Sequence, residues 1–184
     1  MSLLSCLSVI NDPRRKQGCR TSIEQIFCMV TLSYVCGYLG YRPVHKFCES
    51  HSELFISVLG LKHGIPSHVT FREVLMRINE QELIDAFNMW TNSYVALKSG
   101  DALSGDGKSL KSTVSQQPTS EQDFQSVVSL FCQTTGLIAK IATYRHKKVS
   151  EIQMLKELIE TLAVNGLIIR MDALHTQKND TNHH

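Results

Sequence analysis

Two aspartates in this chain of 184 residues stand where a metal-assisted reaction can be built. Asp106, in "ALSGDGKSL", and Asp172, after "LIIRM", each follow a short run with strand character. If those strands are neighbours, the carboxylates meet at one rim of a sheet although they are remote along the chain. Paired carboxylates are hard oxygen donors that suit Mg²⁺ or Mn²⁺. Two such ions, about 4 Å apart, clamp the attacking and leaving oxygens of a phosphodiester during in-line displacement. Without a cation the like charges repel. The residues also allow a plainer reading, with Asp106 in a Gly-Asp-Gly turn and Asp172 capping a helix.

Cationic side chains supply the second kind of chemistry. Arg14, Arg15, Lys16 and Arg20 form the densest basic cluster, and Lys108 and Lys111 follow the first aspartate closely. Such groups neutralise phosphates and give affinity without reading sequence. His68, Arg72 and Arg77 share one expected helix, and "YRHKK" (144–148) is a further basic patch. Each of these equally suits a solvated face. Net charge is only +2, so any nucleic-acid surface must be local.

The elements that must position these groups fall into two halves. A hydrophobic fraction of 42% and a charged fraction of 20% can bury a core. The six cysteines include no Cys-x-x-Cys pair and read as reduced thiols of a cytosolic protein. "MSLLSCLSVI" lacks the positive start of a signal peptide. "IFCMVTLSYVCGYLGY" is shorter than a bilayer span and predicts a core helix, so no membrane partner is expected. Thr21 and Glu24 predict a capping box opening that helix, greasy nearly all round and therefore central. Shorter helices are expected over 44–50 and 53–59. Ser67 predicts another helix start, and Asn79 with Glu82 opens one running to about Leu97. Residues 1–98 thus read as an all-α module.

After Gly100 the period switches to two. "ALSGD" is a weak strand ending at Asp106. "SVVSLFC" and "LIAKIATYR" form a hairpin across "QTTG", and Ile152 to Leu162 mark an amphipathic helix stopped by Asn165-Gly166. "LIIRM" is a buried strand, and a helix is expected from about Leu174. The fold class is α+β, with a helical module followed by a mixed β-β-β-α-β sheet over 99–184.

Five segments, in order, then resemble one family. "SGDGKSLKST" resembles the Asp-Gly-Lys-x-Leu-Arg/Lys motif of DDE-type insertion-sequence transposases, in the ISAs-type or H-repeat-associated group. "KKVSEIQMLKELIETL" is similar to that group's Lys-Ser-Asn-Glu-Ile helix, and "IIRMDALHTQK" to its Ile-Asp-Ala-x-His-x-Gln-Lys segment. "NDPRRKQGCR" resembles the opening Asp-Pro-Arg-Arg element, and "GIPSHVTFREVLMRI" the Pro-Ser-His-x-Thr-Phe helix. The resemblance implies a helical transposase-associated domain and an RNase H-like core. It implies strand cleavage by water and joining by a 3′-hydroxyl, with two Mg²⁺ or Mn²⁺ ions.

By position Asp106 and Asp172 match the first two catalytic residues, and Glu151 is a candidate third oxygen ligand. His175, Gln177 and Lys178 match the segment after the second aspartate, with His175 and Lys178 candidate DNA contacts. Partners so implied are double-stranded DNA (insertion-sequence ends and target) and another copy or the full-length transposase, in the bacterial cytoplasm at the nucleoid. The family's third carboxylate lies on a later helix, so a truncated chain with impaired strand transfer is expected. The alternative is a non-catalytic DNA-binding or interaction protein that represses the full-length enzyme. Ser104 and Gly105 depart from the apolar residues usual before the first aspartate, and Ser150 replaces an Asn.

Overall fold

In the computed structural model, which describes residues 2–15, 17, 19–110, 125–145 and 149–171, several helices begin where short polar side chains accept from free backbone N–H groups. Ser22 accepts from the Gln25 N–H and the Gln25 side chain answers to the Ser22 N–H, closing a capping box at the start of α2 (Ile23–Val35). The box lies one residue beyond the expected Thr21 and Glu24, because Thr21 is buried and its carbonyl is engaged elsewhere. Ser67 caps α5 (His68–Arg77) by accepting from the Thr70 N–H, and Ser150 caps α7 (Glu151–Glu160) by accepting from the Gln153 N–H. A serine at position 150 therefore does the capping work an asparagine would do.

The chain divides into two compact units, Met1–Trp90 and Thr91–His184. The first holds α1 (Leu3–Leu7), α2, α3 (Tyr41–Ser50), α4 (Ser52–Leu59), α5 and most of α6 (Glu80–Asn92). Its core gathers Ile26, Met29, Val44, Cys48, Phe71 and Val74, all fully buried. The end of α2 departs from the central position expected for it. Ile23 to Val30 turn their apolar face inward, yet Val35 is 80% exposed and Leu32 and Tyr34 are also exposed. α6 stops at Asn92 rather than near Leu97. Thr91 is buried with its hydroxyl on the Ala139 carbonyl at 3.1 Å, and Val95 joins the core of the second unit. No helix among the described residues is long and apolar enough to cross a membrane.

The second unit is a four-stranded mixed sheet in the order β3-β2-β1-β4. β1 (Ala102–Leu110), β2 (Gln125–Cys132) and β3 (Leu137–Arg145) are antiparallel neighbours, and β4 (Ile168–Arg170) runs parallel to β1. α7 links β3 to β4 and packs Leu155 and Leu158 onto Val128, Leu130 and Tyr144. Among the described residues seven helices and this sheet make an α+β fold. β1 does not end at Asp106: it runs four residues further, to Leu110, fully paired with β2. The Gly-Asp-Gly turn is thereby excluded. The helix expected from about Leu174 lies outside the described residues.

Candidate metal and nucleic-acid site

Side chains alternate across a strand, so β1 presents two different surfaces. On one face Gly105 and Gly107 meet α7, and Leu103 joins Val95, Cys132 and Ala139. A Cβ on Gly105 would lie 2.7 Å from a Leu155 methyl, and one on Gly107 would overlap the Glu151 carboxylate. The glycines flanking Asp106 are therefore places where side chains of α7 fill the space a Cβ would take. They strengthen the strand's packing where the sequence suggested a weak strand.

Ser104, Asp106 and Lys108 project from the other face. Asp106 is exposed and pairs in register with Ser129. Among the described residues its carboxylate has no hydrogen-bond or ion-pair partner, so both oxygens are uncommitted. Lys108, two residues along the same face, is exposed as well.

Glu151 lies on the opposite side. Its carboxylate sits against Gly107 in the first turn of α7 and accepts from the Tyr144 hydroxyl at 3.5 Å. Burial pushes the Tyr144 hydroxyl above its ordinary pKa, and the negative Glu151 beside it adds to the rise. Expected as a third oxygen ligand beside Asp106, Glu151 is separated from that side chain by the strand itself. Nothing in the sequence could give this, because the face a helical residue meets is set by packing.

β4 approaches Asp106 along the sheet. Its register pairs Ala102 with Ile168, Leu103 with Ile169 and Ser104 with Arg170. On the open face, Gln133 Nε2 donates to Ser104 Oγ at 2.7 Å, and an Arg170 guanidinium N–H donates to Gln133 Oε1 at 2.7 Å. Sequence reading missed both Gln133 and Arg170, since only the parallel register brings them to this place. Asp172, Lys111, His175 and Lys178, with Lys16 of the basic cluster, lie outside the described residues. Among the described residues no group of three His, Cys, Asp or Glu side chains is placed to hold a metal ion.

In the helical unit the basic cluster divides. Arg14 is inward: its guanidinium donates twice to the Asp12 carboxylate, at 2.9 and 2.6 Å, and once to the Thr21 carbonyl at 2.8 Å. The Arg14 N–H also bonds Asp12 Oδ1, an Asx-type turn across Pro13. Arg14 thus serves the fold of the "NDPRR" segment, and the Asp-x-Arg spacing is the signal that could have said so. Arg15 and Arg20 are exposed. Arg20 lines a cleft of about 230 Å³ with Thr21, His63, Ser67 and Thr70. Arg72 and Arg77 both reach Glu73, at 3.5 and 2.7 Å, which offsets much of the charge on that helix.

The Asp12–Arg14 pair carries a pH signature. The hydrogen bonds from Arg14 hold the Asp12 carboxyl below its usual range. A depressed folded-state pKa gives stability that is present above the unfolded value and is lost as pH falls through the folded one. Arg14→Ala is therefore expected to cost about 1 kcal/mol at neutral pH, and clearly less once pH has fallen through the lowered folded-state pKa of Asp12, where of these contacts the bond to the Thr21 carbonyl still remains. Urea titrations of both chains at several pH values measure this, and a pH-independent difference refutes it.

Residues 4–91 match the family described as DDE_Tnp_1-associated. Over 177 residues the chain is 27% identical to the "H repeat-associated putative transposase YbfD" of Escherichia coli K12, covering 96% of this chain and 68% of that protein. Over the same length it is 26% identical to "H repeat-associated putative transposase YhhI" and 26% identical to "Putative protein YbfL", both of the same organism. The chain spans about half the length of those two, 46% in each case. No solved structure matches it significantly. The family match and the named relatives together support a transposase family and a transposition-related function.

Proposed function

We propose, from a chain whose relatives support a transposase family, that it is a DDE-type insertion-sequence transposase of the H-repeat-associated group. Its second unit would be the start of an RNase H-like catalytic domain, with Asp106 and Asp172 as metal-holding carboxylates. One observation carries the reading. The parallel register pairs Ser104 with Arg170 at the end of β4, and the same register continued by two residues would set position 172 beside position 106. Residues two apart in paired strands share a face, so both carboxylates would then stand on the open side.

The donor chemistry fits hard cations. Asp106 offers an exposed carboxylate with no competing partner among the described residues, and oxygen donors of this kind suit Mg²⁺ or Mn²⁺. Two such ions would stabilise the attacking and leaving oxygens of a phosphodiester. The chain's own side chains do the rest. Lys108 stands beside Asp106 on the same face, where a phosphate would approach. Arg15 and Arg20, with Lys16, Lys111, His175 and Lys178, are the proposed contacts to double-stranded DNA. Arg14 is left out of that set, being held by Asp12.

Mn²⁺ titration calorimetry of the full chain, with Asp106→Ala and Asp172→Ala beside it, is the direct test. Binding present in the parent and lost in both variants is expected, together with loss of any Mn²⁺-dependent plasmid nicking. Equal Mn²⁺ binding in all three chains removes the two-aspartate assignment. DNA binding that persists in the absence of Mn²⁺ binding would favour a non-catalytic DNA-binding protein.

A further inference from the structure

We infer that Arg170 is a phosphate-binding residue, fixed on the same open face of the sheet as Asp106 to hold a backbone phosphate of DNA; this rests on the reading above. Arg170 is the register partner of Ser104, and Ser104 is two residues from Asp106 on the same face. The backbone of Arg170 is therefore about two strand steps, roughly 7 Å, along the sheet from the row of the carboxylate, and its guanidinium is held at Gln133, level with Ala102 on the same face.

The manner in which Arg170 is held is unlike that of the other arginines whose side-chain bonds are described. Arg14 is neutralised by Asp12, and Arg72 and Arg77 by Glu73. Arg170 is held by a neutral amide. Gln133 uses its oxygen for Arg170 and its NH₂ for Ser104, an orientation that satisfies both ends of a three-residue chain across the sheet. An amide fixes a guanidinium without cancelling its charge. Among the described residues Arg170 has no ion-pair partner, so the remaining donors of the planar fork are available to an anion. A fork of that geometry binds phosphate oxygens two at a time. Lys108 carries a second cation two residues to the other side of Asp106, on the same face. Cation, carboxylate, cation is an order suited to a phosphodiester whose charge must be balanced on both sides of a metal-holding group.

The experiment uses the full chain, a fluorescein-labelled 30-base-pair duplex and EDTA, so that metal binding does not enter. Arg170→Ala is expected to weaken binding about tenfold. It should also make the plot of log affinity against log salt shallower by about 0.9, the signature of one lost phosphate contact. Arg170→Lys keeps the charge and should keep the slope while losing part of the affinity. Gln133→Leu should lower affinity with the slope retained, because the cation stays but its tether goes. A merely structural role for Arg170 would lower the melting temperature and leave the slope alone. An unchanged slope in Arg170→Ala overturns the phosphate contact by itself. Mn²⁺ binding that survives Asp106→Ala and Asp172→Ala overturns the metal reading by itself.

Discussion

Alanine at position 71 is expected to destabilise the helical unit by about 3–5 kcal/mol, the range for a fully buried phenylalanine. Phe71 is 0% exposed and sits among Ile26, Met29, Val44 and Val74, contributed by three different helices. Removing the ring takes away its transfer free energy and leaves a cavity that rigid neighbours fill only in part. Small domains are stable by only about 5–15 kcal/mol, so this one change approaches the whole margin. Trp90, the single tryptophan, lies at the end of this unit and reports its unfolding in urea. Met76→Ala on the same helix is the control. Its side chain is 68% exposed, and its cost should stay within about 0.5 kcal/mol. If both substitutions cost the same, α5 is not docked through Phe71.

The second large effect is at Gly105. A methyl group there meets a Leu155 methyl at 2.7 Å, closer than carbon atoms can stand, and Leu155 is itself fully buried with nowhere to withdraw. Overpacking of this kind costs about 1–3 kcal/mol. Gly107 offers a contrast two residues away. The atoms in the way there belong to the end of the Glu151 side chain, which is only partly buried and can swing aside at the cost of its contact with Tyr144. Gly107→Ala should therefore cost clearly less than Gly105→Ala. The double variant Gly105→Ala/Leu155→Ala should be more stable than the sum of its parts, because the truncated leucine makes room for the new methyl. Thermal unfolding of the parent, the three single variants (Leu155→Ala included) and the double variant decides the matter. Additive effects would mean that α7 does not press on β1 at this point.

Much of the architecture was legible because it depends on local rules. The helical period located α2 and α7, with the α2 box read one residue early, Ser67 marked the start of α5, and the alternation in "SVVSLFC" and "LIAKIATYR" located the hairpin. What escaped depends on partners distant in sequence. "SGDG" reads locally as a turn, and only the approach of α7 explains two glycines on one side of a strand. Arg14 reads as a surface cation until Asp12 and the Thr21 carbonyl are seen to claim it. Glu151 has the right chemistry for a ligand but the wrong side of the strand. Gln133 and Arg170 carry no motif, and they acquire meaning only when β4 pairs with β1.

The alternation of β1 has a consequence for how such a chain can change over generations. Its odd positions from 103 to 107 answer to the core beneath them, with α7 pressing on 105 and 107, and its even positions answer to whatever reaches the sheet from solvent. The two sets are separately adjustable, so a copy released from its biochemical task would keep its odd residues while its even ones drifted. Decay would leave the scaffold standing and erase the chemistry first.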